Sequence, residues 1–300
     1  MLPSLILIIN VLLVVLNCAL CSFAISLLAI IKALLPHDKI SLWMTTLANY
    51  IMWLWMTINA WILKFSNNVD WQVSGTEGLS KKSWYLLISN HLSWTDIVVL
   101  CCVFKDRIPM PKFFLKQQLI YVPFIGMACW ALDMPFMRRY SRAYLLRHPE
   151  RRGQDLATTR RSCEKFIQQP TTVVNYVEGT RFTTEKHQKS GSCYQHLLAP
   201  KSGGIAYTLA AMGEQFDGIL DVTVAYPGNR QKPFRDMLMG RMDTIVVDIQ
   251  HRPLNAELQG DYFEDKQFKR QFRLWLDAIW QQKDQRLQQV HRDFEQQRGK

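Results

Sequence analysis

Residues 1–31 contain no charged side chain, and Leu, Ile, Val and Ala dominate the run. A helix needs roughly 20 apolar residues to cross the hydrocarbon of a bilayer, and this run is longer. It has no basic region ahead of it and far exceeds the apolar core of a signal peptide, so it reads as a retained membrane helix. Lys32 and Lys39 follow it, which by the positive-inside tendency assigns that end to the cytoplasm. A second uncharged stretch, residues 40–63, interleaves Trp43, Tyr50, Trp53, Trp55 and Trp61 with Thr45, Thr46, Asn49, Thr57 and Asn59. Such residues suit the headgroup boundary, so this stretch is either a second span or a helix lying in the cytoplasmic leaflet. The interfacial reading is preferred because it keeps the basic remainder of the chain on the side of Lys32 and Lys39. Residues 1–65 are therefore expected to form a membrane anchor and residues 66–300 a folded domain.

The downstream part reads as α/β. Apolar or β-branched runs at residues 84–89, 133–137, 171–177, 220–226 and 244–250 are strand candidates. Between them, residues 97–104 and 150–169 have helical composition, and residues 263–295 form a charged helix. There Phe268, Phe272, Trp275, Leu276 and Ile279 recur at helical spacing, so this helix is expected to pack on the domain. Alternation of this kind predicts a mixed, largely parallel sheet flanked by helices, with the apolar helical segment at its N-terminus.

The formal net charge is +11, which favours polyanionic partners: nucleic acid, anionic headgroups or a phosphorylated substrate. Arg138, Arg139, Arg142, Arg147, Arg151 and Arg152 make a dense basic stretch. It suits either docking on anionic lipid or a solvated helix face. No nucleic-acid-binding motif accompanies the charge, so no nucleic-acid partner is expected. The seven cysteines are scattered, odd in number and mostly embedded in apolar runs, as befits reduced thiols facing the cytoplasm. Cys18 and Cys21 lie within the apolar run without a second ligand pair, and no metal site is expected.

His91 and Asp96 stand directly after the strand candidate that ends at Ser89. A strand-to-helix turn there places His91 at the sheet edge and Asp96 in the first helical turn. The carboxylate can then fix the tautomer of the imidazole and leave its other nitrogen free to take a proton. By itself that spacing is a common coincidence. A second segment, Glu178-Gly179-Thr180-Arg181, follows the strand candidate at 171–177. Its glycine permits close backbone approach, and its guanidinium suits a phosphate.

Asn-His-x4-Asp at Asn90–Asp96 and Glu-Gly-Thr-Arg at Glu178–Arg181, in that order, resemble the glycerophospholipid acyltransferase family, which includes the 1-acylglycerol-3-phosphate acyltransferases. The stretch Lys116-Gln117-Gln118-Leu119 with Pro123-Phe124-Ile125-Gly126 is similar to a further family block, with Gln118 in place of the usual acid. Phe136-Met137-Arg138-Arg139 resembles the end of a block that usually opens with Gly, where this chain has Asp133. Val222-Thr223-Val224-Ala225-Tyr226-Pro227 looks like the fourth block, in the form of the branch that contains lysocardiolipin acyltransferases. Among bacterial proteins the likeness is to an inner-membrane type, with the catalytic domain facing the cytoplasm.

The resemblance implies acyl transfer from acyl-CoA or acyl carrier protein to a lysophospholipid hydroxyl, such as the sn-2 hydroxyl of 1-acylglycerol-3-phosphate. No cofactor beyond the thioester co-substrate is implied. His91 would be the general base, Asp96 its orienting partner, and Arg181 the phosphate ligand. Glu178 would brace the loop or the acceptor glycerol, with Gly179 and Thr180 shaping the loop. Lys116, Arg139 and Lys201 are further candidates for substrate contact. For Lys201, ahead of a helical run, a solvated lysine is the equal alternative. No G-x-S-x-G nucleophile elbow is present, in keeping with direct attack on the thioester and no covalent acyl-enzyme.

Overall fold

The computed structural model describes residues 2–35, 37–122, 125–134, 136–137, 147, 166, 169–255, 258 and 260–299. Two helices open the chain, α1 (Leu2–Leu34) and α2 (Asp38–Ser66). The link between them is so short that they fold back into a hairpin and pack together. Among the described residues one helix, Pro3–Leu34, is long and apolar enough to cross a membrane.

Both ends of α1 are held by the domain that follows. Asn10 Nδ2 donates to the Leu238 carbonyl at 2.9 Å, and Lys32 Nζ pairs with Asp133 at 2.9 Å. Those two residues are separated by roughly 33 Å of helix. The second helix is bonded to the domain along a similar length. Thr45 Oγ1 donates to Asp133 at 2.8 Å, and Asn67 Nδ2 donates to the Met237 carbonyl at 2.9 Å. Between them, Asn49 Oδ1 accepts from Lys112 Nζ and Thr57 Oγ1 from Lys105 Nζ, each at 2.7 Å.

Thr45, Asn49 and Thr57, expected at the headgroup boundary, thus turn onto protein. The reason is that lysines and a carboxylate of the domain are shielded there and need partners. Lys32, expected to mark the cytoplasmic membrane face, is 6% exposed. What the hairpin presents outward is apolar: Leu12, Leu16, Leu20 and Phe23 of α1, and Trp43, Tyr50 and Trp61 of α2.

The domain's strands are β1 (Asp70–Ser74), β2 (Tyr85–Ser89), β3 (Pro111–Phe113), β4 (Leu115–Lys116), β5 (Phe136–Met137), β6 (Thr172–Tyr176), β7 (Gly218–Ala225) and β8 (Thr244–Arg252). Six of them form one sheet in the order β1-β8-β7-β2-β6-β3, while β4 pairs with β5. Every pairing is parallel except β7 with β8, so the sheet is mixed and largely parallel, as expected. The central strand β2 is buried at every position, which its unbroken apolar run requires of a strand covered on both faces. Alternate residues serve opposite cores. Tyr85 and Leu87 join Val99 and Phe104 on the side of the hairpin, and Leu86 and Ile88 join Ile205, Phe272 and Trp280 on the other.

The remaining helices are α3 (Thr95–Phe104), α4 (Ile125–Ala131), α5 (Thr184–Ser190), α6 (Ser202–Met212), α7 (Pro233–Leu238) and α8 (Lys266–Arg298). Asp265 caps α8, accepting from the amides of Gln267 and Phe268. Phe272, Leu276 and Ile279 of α8 are buried, as its spacing predicted. So is Lys283, which lies 2.6 Å from Asp221 of β7 and clamps the helix to the sheet. Strands β1, β3 and β4 are too short or too exposed to show as apolar runs in the sequence. The strand expected over residues 133–137 shortens to β5, because Asp133 turns into the left-handed region at φ 53°. The helix expected over residues 150–169 lies almost wholly outside the described residues.

Candidate active site

Strand β2 ends at Ser89 and α3 begins at Thr95, so residues 90–94 make the turn between them. Asn90 pins this turn to β7. Its Nδ2 donates to the Val224 carbonyl and its Oδ1 accepts from the Val224 amide, both at 2.9 Å. A side-chain amide carries the one donor and one acceptor that such a clamp needs.

With the turn fixed, His91 Nδ1 lies 2.8 Å from Asp96 Oδ2. That oxygen also accepts from the amides of Leu92 at 2.7 Å and Ser93 at 2.9 Å. The other oxygen, Oδ1, accepts from the Tyr226 hydroxyl at 2.8 Å. The Asp96 side chain is wholly buried and that of His91 is 15% exposed. Four donors therefore converge on one buried carboxylate, which compensates its loss of hydration. An Nδ1–H donated to Asp96 leaves Nε2 with its lone pair directed elsewhere, and among the described residues nothing bonds to it. This is the geometry of an imidazole poised to take a proton from a hydroxyl.

Two tyrosines complete the setting, and no role for either was read from the sequence. Tyr226 belongs to the Ala225-Tyr226-Pro227 block, whose chemistry is silent until β7 is laid beside β2. Burial first, and then the nearby Asp96 charge, pushes its phenol well above the ordinary tyrosine value, so it acts toward Asp96 as a donor. Tyr176, at the end of β6, stacks on the His91 ring with centroids 3.9 Å apart and planes 14° from parallel.

The second motif meets the first from the neighbouring strand. Glu178 is fully buried; its Oε1 accepts from the His91 amide at 2.9 Å and its Oε2 from the Leu198 amide at 3.0 Å. Both oxygens are thus engaged by the backbone of two loops, the bracing arrangement that was one of the two contacts expected of this residue. Burial raises its carboxyl to about 7, against the pull of those two amide hydrogen bonds. Gly179 takes φ 68°, in the left-handed region. Lys186 Nζ of α5 then donates to Thr180 Oγ1 and to the Arg181 carbonyl, at 2.8 and 2.9 Å. The Phe182 amide closes the loop on the His91 carbonyl at 2.7 Å.

Arg181 is exposed, with its guanidinium carbon 4.9 Å from the centre of the Trp94 ring. Lys201 stands exposed at the N-cap of α6, its amide bonded to the Val177 carbonyl at 2.9 Å, so its backbone belongs to the same loop cluster. Lys116 lies in β4, but its side chain and the whole of Arg139 fall outside the described residues. Of the basic stretch around Arg139, Arg147 alone is described, and it is exposed. Among the described residues no group of three His, Cys, Asp or Glu side chains is placed to hold a metal ion.

The chain is similar to several known acyltransferases. Lysocardiolipin acyltransferase 1 of Gallus gallus is 22% identical over 83% of this chain and 65% of its own length. The 2-acyl-1-lysophosphatidylinositol acyltransferase of Saccharomyces cerevisiae is 21% identical over 70% of this chain and 62% of its own. For 1-acyl-sn-glycerol-3-phosphate acyltransferase delta of Mus musculus the figures are 26%, 60% and 46%. The chain thus spans less than two thirds of the length of these relatives. The solved structure of the 1-acyl-sn-glycerophosphate acyltransferase PlsC from Thermotoga maritima matches 92% of this chain and 97% of its own, at 15% identity and a TM-score of 0.48. The Acyltransferase family model matches residues 70–227, more than half of the 300 residues and inclusive of both motifs and Tyr226: the chain belongs to the acyltransferase family.

Proposed function

We propose that this protein transfers a fatty acyl group from acyl-CoA or acyl carrier protein to the free sn-2 hydroxyl of 1-acylglycerol-3-phosphate. The observation that carries the reading is the His91–Asp96 pair with Nε2 left open. His91 Nε2 takes the hydroxyl proton as that oxygen attacks the thioester carbon. The tetrahedral intermediate then collapses, the C–S bond breaks, and the thiol leaves with a proton. Asp96 stabilises the imidazolium formed on the way. Arg181 is the phosphate ligand, with Lys201, Lys116 and Arg139 as further candidates around the acceptor. An apolar cavity of about 420 Å³, lined by Leu63 of α2 and Val98, Val99 and Cys102 of α3, lies one turn along the helix that carries Asp96. It offers room for an acyl chain.

Residues 1–65 serve as the anchor and residues 66–300 as the catalytic domain, in our reading at the cytoplasmic face of a bacterial inner membrane. Because both ends of α1 are bonded to one domain, the hairpin is read as lying with its apolar face in one leaflet. A helix crossing the bilayer would carry Asn10 and Lys32 to opposite faces, since the hydrocarbon is about 30 Å thick.

A second reading keeps the chemistry and changes the acceptor to lysocardiolipin or lysophosphatidylglycerol; the lysocardiolipin acyltransferase among the relatives above favours the first of these. A non-catalytic protein that binds RNA or anionic lipid would have no use for an oriented, open imidazole. The test is an acyl-transfer assay with a panel of lysophospholipids, comparing the wild type with His91→Ala and Asp96→Asn. Each substitution is expected to lower turnover about 10²–10⁴-fold. Equal activity in His91→Ala sinks the mechanism, and wild-type inactivity on every acceptor sinks the enzymatic reading.

A further inference from the structure

Trp94 is the third of the four residues between His91 and Asp96, and nothing in the dyad's chemistry calls for an indole there. Trp94 is 52% exposed, yet its backbone lies in a turn held by hydrogen bonds on both sides. The Ser93 amide is bonded to Asp96 Oδ2 at 2.9 Å, the Thr95 amide to Ser93 Oγ at 3.2 Å, and the Ile97 amide to the Trp94 carbonyl at 3.3 Å. The backbone that carries the ring is therefore anchored at the start of α3. Arg181, the last residue of the other motif, lies with its guanidinium over that ring, 4.9 Å from the centroid. Its main chain is held as well, through Lys186 Nζ on the carbonyl and the adjoining Phe182 amide on the His91 carbonyl.

Among the described residues, no carboxylate or carbonyl accepts from the Arg181 side chain. A guanidinium in that situation has five unused N–H donors. An ion pair with Asp or Glu would hold it equally well, but would occupy the donors that a phosphate needs and cancel the charge that attracts it. An aromatic face holds a guanidinium through its charge and takes no N–H.

We infer that Trp94 is a positioning residue for the acceptor's phosphate: it orients Arg181 by a cation–π contact that leaves the N–H edge and the positive charge available. The inference rests on the phosphate role proposed for Arg181. It also explains why an exposed indole bridges two motifs that are far apart in the chain.

The experiment is a double-mutant cycle of Trp94→Ala and Arg181→Ala, with kcat and KM measured for lysophosphatidate in mixed micelles under saturating acyl-CoA. Trp94→Phe is the conservative variant, and thermal midpoints are recorded for all. A cation–π contact of this exposure corresponds to about a twofold to fivefold change in affinity. Trp94→Ala is expected to raise KM by that factor with kcat within about twofold, Trp94→Phe to recover most of it, and Trp94→Ala to add nothing in the Arg181→Ala background. If the two effects multiply, or if the loss in Trp94→Ala is one of kcat or of micelle binding alone, Trp94 acts independently of Arg181 and the inference falls. If Arg181→Ala itself leaves KM unchanged, the phosphate role of Arg181 falls first and takes this inference with it.

Discussion

Glu178 is a motif residue whose carboxyl is committed to the backbone of its own fold. Its two oxygens hold the His91 and Leu198 amides, and burial lifts its carboxyl from 4.5 to about 7. Folding therefore favours the protonated form. The stability this group contributes is full below the unfolded value and is lost as the pH rises through about 7, a difference on the order of 3 kcal/mol. Glutamine at this position does not titrate, and it has one acceptor oxygen where two amides need one each. Glu178→Gln is accordingly expected to be less stable than the wild type at about pH 5, and the gap to narrow by about pH 8. Denaturation midpoints at the two pH values measure this; a gap that does not change with pH rules the linkage out.

At the scale of elements, the junction between the hairpin and the domain turns on Asp133. Asp133 stands where the resemblance implies a glycine, and it takes a left-handed φ of 53°, which glycine adopts without strain. The carboxylate is what the position gains. It pairs with Lys32 of α1 and accepts from Thr45 of α2, so the end of α4 is tied to both helices of the hairpin. Removing one partner of a buried pair leaves the other charge uncompensated, at a cost of about 3–5 kcal/mol. Asp133→Gly should therefore destabilise the protein despite relieving the backbone, and adding Lys32→Met should recover most of the loss. Chemical denaturation in detergent tests this, and an Asp133→Gly variant as stable as the wild type would falsify the tether.

Over the whole molecule, the exposed apolar surface of the hairpin and the open edge of His91 belong to one rigid arrangement, because α1 and α2 are bonded to the domain from Asn10 to Asn67. A hairpin that lies in one leaflet keeps its turn on the side of the catalytic domain. With the native cysteines replaced, His37→Cys in that turn is expected to react with a membrane-impermeant maleimide from the face that carries the domain. Labelling from the opposite face would mean that the hairpin crosses the bilayer.

The same hairpin shows where the sequence stops being informative. The uncharged run, the period of α8, the buried strand β2 and the spacing of both motifs are local properties, each carried by composition or by neighbours within one element. They sufficed for the fold class, for the His91–Asp96 pair and for the family. The orientation of Thr45, Asn49 and Thr57 is not local, since their partners Asp133, Lys112 and Lys105 are far along the chain. Tyr226 reaches Asp96 only because β7 pairs with β2, and Glu178 becomes a brace only because β6 carries it beside the His91 amide. Which residues are proposed to react was thus read from short-range pattern. What holds them in place was decided by the sheet, which alone brings distant buried donors to the few acceptors able to satisfy them.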